Sequence, residues 1–155
     1  MAELLRAPLD LLLVEDSGAE VELTLRTLAR GGAGARIGVA HDGEEALDFL
    51  LGRGAYQQRP LPSLPKLILL GLRLPGRPGW EILTELRRHP RTAMLPVVIL
   101  SSSADPAEIT RSYQLGANGF VHKPIKYEAF AQVLSHISGF WLDANRTGRA
   151  DGLTD

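Results

Sequence analysis

Five short, almost unbroken apolar runs, each followed by residues at helical spacing, constrain this chain more than anything else in it. They are "LDLLLVED" (9–16), "ARIGVA" (35–40), "KLILL" (66–70), "LPVVILSSS" (95–103) and "NGFVHKP" (118–124). Strands apolar at nearly every position need cover on both faces, which is the situation of a parallel sheet. Five βα units joined by right-handed crossovers then predict a three-layer, doubly wound α/β domain.

The intervening segments carry helix signals. Val21, Leu25 and Leu28 fall on one face of a helix over 17–30. Asp42 and Glu45 have the spacing of a capping box, and Asp105, Pro106 and Glu108 mark the start of a fourth helix. A third helix is expected from about Trp80 to Arg88. The last carries Phe130, Val133, Leu134, Ile137 and Trp141 at core spacing. Residues 52–65 contain three prolines and form a longer loop than such units need. The expected organisation is an N-terminal extension (1–7), one domain (8–141) and a polar C-terminal tail (142–155).

Composition narrows the function classes. The chain has 155 residues, 45% hydrophobic and 23% charged, with a formal net charge of −1. That balance gives no case for a nucleic-acid partner or an anionic membrane surface. Its apolar runs are far shorter than the ~20 residues that span a bilayer. The start "MAELLRAPLD" lacks the pattern of a signal peptide, so a cytoplasmic protein is expected. With no cysteine, disulfides, thiolate catalysis and Cys-based zinc sites are excluded.

In doubly wound folds ligands gather beyond the carboxyl ends of the strands. The residues there are Glu15, Asp16, Gly71, Ser101 and Lys123. Two acids, a hydroxyl and a lysine suit phosphoryl chemistry on a divalent cation, since carboxylates are hard oxygen ligands and an ammonium attracts a phosphoryl oxygen. Taken singly, each has a plainer reading. An acid pair before a helix complements the helix dipole, Ser101 suits a strand-end turn, and Lys123 suits a solvated surface.

The stretches "LLLVEDS", "HDGEEALDFL", "LILLGLRLPGRPGWEIL", "LPVVILSSS" and "LGANGFVHKPI" together resemble the receiver domain of two-component response regulators, over residues 8 to 141. The proline-bearing loop before the third strand and the terminal "FWL" resemble the single-domain regulators paired with phytochromes and related sensor kinases. The resemblance implies a flavodoxin-like sheet of order 2-1-3-4-5. It also implies Mg²⁺ on Glu15, Asp16 and the backbone carbonyl of Arg73, with Ser101 and Lys123 contacting the phosphoryl group and Phe120 as the aromatic switch.

One residue departs from the pattern. The phosphoacceptor aspartate of the family falls at Gly71, and between Asp48 and Asp105 the acids are Glu81 and Glu85, both on the third helix. Glycine cannot attack phosphorus, so no phospho-aspartate forms at this position. Mg²⁺ is expected to bind more weakly, and Lys123 to compensate the two remaining acids in a less strained site. Outside the family, Gly71 reads as a glycine where backbones approach closely. Aspartate and glycine codons also differ by a single base, so the alternative is an ordinary phosphoacceptor receiver of which this copy is a variant.

No effector is expected after the last helix, so output is expected through protein contacts rather than catalysis. The family implies a sensor histidine kinase partner, here of bacteriophytochrome type, and a homodimer through helix 4, strand 5 and helix 5. Phe140, Trp141 and His122 are the interface candidates, Trp141 equally suiting the domain's own core. A flavodoxin-like enzyme is disfavoured because "VEDSGAE" after the first strand offers acids, not a glycine-rich loop, to an anion.

Overall fold

The computed structural model describes residues 5, 6, 8–30, 34–57 and 63–148. Strands β1 (Leu11–Val14), β2 (Ile37–Ala40), β3 (Leu67–Leu70), β4 (Val97–Ser101) and β5 (Gly119–His122) alternate with helices α1 (Gly18–Arg30), α2 (Gly43–Leu51), α3 (Gly79–Arg88), α4 (Pro106–Gln114) and α5 (Tyr127–Ile137). All strand pairs are parallel, in the order β2-β1-β3-β4-β5.

The central strands β1 and β3 are apolar throughout, and β4 up to Ser101, because alternate residues feed two cores. Leu12, Val14, Ile68, Leu70, Val97 and Ile99 pack against Leu47 and Leu50 of α2 and Ile82, Leu83 and Leu86 of α3. Leu11, Leu13, Leu67, Leu69, Val98 and Leu100 pack against Val21 and Leu28 of α1 and Phe130, Leu134 and Ile137 of α5. Each such leucine contributes roughly 1.5–3 kcal/mol relative to exposure.

Local chemistry sets the helix ends. Asp42 accepts from the Glu45 amide at 2.8 Å, while Glu45 reaches back to the His41 amide at 2.9 Å. Gly52 closes α2 in the left-handed region (φ 68°), where a side chain is strained. Asp105 caps α4 by accepting from the Ala107 amide at 3.0 Å, with Pro106 following it. Before β3, a single 3₁₀ turn (Gly54–Tyr56) buries Tyr56, whose ring meets Phe49 edge-on at 5.4 Å. Two of the three prolines of this loop lie outside the described residues.

Past α5 the chain stays helical as a π-helix over Ser138–Ala144. Trp141 and Leu142 pack on the α1–α5 core, and the Leu142 carbonyl accepts from Lys66 Nζ at 3.3 Å.

Candidate functional site

Ladder hydrogen bonds run one residue beyond the strands and so align the candidate residues along one sheet edge. The Glu15 amide donates to the Ala40 carbonyl (3.0 Å), the Gly71 amide to the Val14 carbonyl (3.1 Å) and the Lys123 amide to the Ser101 carbonyl (2.7 Å). Glu15, Gly71, Ser101 and Lys123 therefore all stand at the carboxyl edge.

Glu15 lies half-buried, its Oε1 accepting from the Ser17 amide at 3.2 Å and its Oε2 3.9 Å from Lys123 Nζ. Burial raises its carboxyl above the ordinary carboxylate range; the Ser17 amide and Lys123 pull the other way, and the charges of Glu20 and Asp16 add to the rise. Asp16 is exposed.

Lys123 is not held by Glu15 alone. Its ammonium donates to Glu20, in the first turn of α1. Glu20 was not singled out in the sequence, where an acid in a first helical turn reads as complementing the helix dipole. No local signal marked its contact, because its partner lies 103 residues further along the chain.

Gly71 is buried at the end of β3. A β-carbon there would lie 3.2 Å from Glu15 Oε2, 3.4 Å from the Val14 carbonyl and 3.5 Å from Leu74 Cδ2. Only the Glu15 carboxylate would have to yield by a few tenths of an ångström. Close approach of backbones therefore does not require glycine at this position.

The remaining candidates divide. Ser101 is buried and its Oγ accepts from the Ser103 amide at 3.1 Å. Phe120 packs partly buried against the α2–α3 core. The exposed Arg73 turns its guanidinium to Glu108 of α4, at 3.0 Å. His122 is exposed, with Nε2 3.2 Å from the Ser102 carbonyl oxygen. Glu81 and Glu85 lie on α3 and bind Arg77, at 3.3 and 2.8 Å. Among the described residues, no three acids or histidines converge in a metal-holding group. None of the described helices is long and apolar enough to cross a membrane.

Parallel order 2-1-3-4-5, with acids, a hydroxyl and a lysine along its carboxyl edge, is the architecture of a receiver. The family model "Response regulator receiver domain" matches residues 11–135, and the chain belongs to that family. It is 36% identical over 141 residues to the "Probable methanogenesis regulatory protein FilR2" of Methanothrix harundinacea, covering 90% of this chain and 88% of that one. It is 33% identical over 136 residues to response regulator Rcp1 of Synechocystis, covering 88% and 90%. The crystal structure of the Mn(2+)-bound form of Rcp1 aligns with a TM-score of 0.81 over 91% of this chain and 99% of that one, at 32% identity. The phosphorylated cyanobacterial phytochrome response regulator RcpA gives the same TM-score and coverage, at 33% identity.

Proposed function

We propose that this receiver acts in two-component signalling through protein contacts and does not form a phospho-aspartate, because Gly71 occupies the acceptor position. The observation that carries this reading is the end of β3. Gly71 is buried there between Glu15 and Leu74, and the only acids between Asp48 and Asp105, Glu81 and Glu85, lie on α3 and bind Arg77.

Glu15, Asp16 and the Arg73 carbonyl form an incomplete donor set for Mg²⁺. The Lys123 ammonium beside Glu15 opposes a second cation, so Mg²⁺ binding is weak. Ser101 and Lys123 are the positions that would contact a phosphoryl group. The partner is a sensor histidine kinase of phytochrome type, a reading supported by the likeness to RcpA. The chain also pairs with itself across α4, β5 and α5, where His122 of β5 is exposed and Phe140 stands exposed in the π-helix that continues α5.

A second reading has its own support. Because a β-carbon fits at Gly71, an aspartate is sterically admissible, and this copy is then a variant of an ordinary phosphoacceptor. Mass spectrometry after treatment with acetyl phosphate and Mg²⁺ tests both, on this protein and on Gly71→Asp. Phosphate on Gly71→Asp alone supports the proposal; phosphate on the unaltered chain overturns it, and phosphate on neither overturns the reading of the site.

A further inference from the structure

Resting on that reading, we infer that Glu20 takes over the counter-ion role of an acceptor carboxylate, holding Lys123 and pinning the β5–α5 turn to α1 with neither phosphoryl group nor metal. In a site built for phosphoryl transfer the lysine has a carboxylate at the end of the central strand. Here that position is Gly71, which offers none. The Lys123 side chain is largely buried, only 13% exposed. A buried ammonium without an anion is costly, so it must find another.

It finds one on a different element. Glu20 rises from the first turn of α1 and its Oε2 accepts from Lys123 Nζ, while Glu15 Oε2 stands further off at 3.9 Å. The pair joins residues 103 apart in sequence, connecting α1 to the residue directly after β5. The backbone of the same lysine is fixed as well, its amide donating to the Ser101 carbonyl at 2.7 Å. Side chain and main chain thus anchor the start of the β5–α5 turn to two elements at once. Glu20 is a positioning residue: it acts through Lys123, and it makes the geometry of this edge independent of a phosphorylation cycle.

The neighbouring acid on α1 provides the control. Glu22 is exposed and pairs with Arg26 at 2.7 Å, so its loss removes the same charge from the same helix without touching Lys123.

The experiment is native-state hydrogen exchange at the Lys123 amide of the full chain. Glu20→Gln, which keeps the side-chain shape, is expected to speed exchange about fivefold, as local opening becomes easier. Glu22→Gln is expected to leave it unchanged. Unchanged exchange in Glu20→Gln, or equal acceleration in Glu22→Gln, would each overturn the inference. None of these readouts involves phosphate, so failure here is separable from phosphate uptake by the unaltered chain.

Discussion

Gly79, the first residue of α3, stands so close to Gly71 that a β-carbon on it would come within 2.1 Å of the Gly71 carbonyl oxygen. The Gly79 amide donates to the Leu72 carbonyl at 2.8 Å, which fixes this approach. The obstacle is backbone and cannot rotate away. Gly79→Ala is therefore expected to lose about 3 kcal/mol, read by urea denaturation. Gly139→Ala is the contrast. It has nothing within 4 Å and should be neutral or gain up to about 1 kcal/mol from helix propensity. Equal losses in both would refute the steric account.

Much of this architecture could be read from the order of residues, for physical reasons that also set where the reading stopped. The five apolar runs located the strands because both sheet faces are covered, yet the runs overshoot. Asp10 and Glu15 flank β1, and Leu95 and Pro96 precede β4, without being strand residues. The capping residues Asp42 and Asp105 were legible because caps are local. Glu108 was less so: at the third position of α4 it suits a capping box, but its carboxylate goes to Arg73, a contact between elements. The contact between Glu20 and Lys123 escaped for the same reason. Their pairing depends on how α1 lies beside the end of β5, and no periodicity within either segment encodes that.

Restoring a carboxylate at the end of β3 should change how the protein responds to cations. In Gly71→Asp the new side chain starts 3.2 Å from Glu15 Oε2, so two carboxylates repel beside a third, Asp16. The variant is expected to be about 1–2 kcal/mol less stable than the parent without divalent cations. Millimolar Mg²⁺ should recover most of that loss, because binding to the native state alone stabilises it. The parent's melting temperature should move much less. Thermal denaturation with and without Mg²⁺ checks both, and an equal response in the two proteins would contradict an incomplete donor set.

Arg77 collects Glu44 (2.6 Å), Glu81 (3.3 Å) and Glu85 (2.8 Å), and Arg53 adds a second cation to Glu85 at 3.0 Å. The Arg77 hydrogen bond, then that of Arg53, holds the Glu85 carboxyl below the ordinary range against the opposing effect of burial. A folded-state value below the unfolded one means the native protein binds fewer protons. The stabilisation is then complete above the unfolded carboxylate value of ~4.3 and disappears as pH falls through the lower folded one. Both partners are about one-third exposed, so solvent limits the gain to about 1 kcal/mol. Glu85→Gln is expected to lose that amount at neutral pH and to show a shallower decline in acid. Urea titrations at several pH values would expose the difference, and parallel acid limbs would refute it.

Phe140 and Trp141 adjoin in the π-helix, their rings edge-to-face at 4.9 Å, but they face different environments. Trp141 is partly buried against the α1–α5 core, whereas Phe140 is 52% exposed. Trp141→Ala removes packing and should cost about 2–3 kcal/mol, less than a fully buried tryptophan. Phe140→Ala should cost under about 1 kcal/mol, because most of its surface already meets water. If Phe140 anchors self-association, its alanine variant should shift the monomer–dimer equilibrium at least tenfold towards monomer, as loss of an aromatic anchor does. Sedimentation velocity over a concentration series, read beside urea denaturation, separates the two roles. Loss of association in Trp141→Ala at full stability, with Phe140→Ala unaffected, would reverse the assignment.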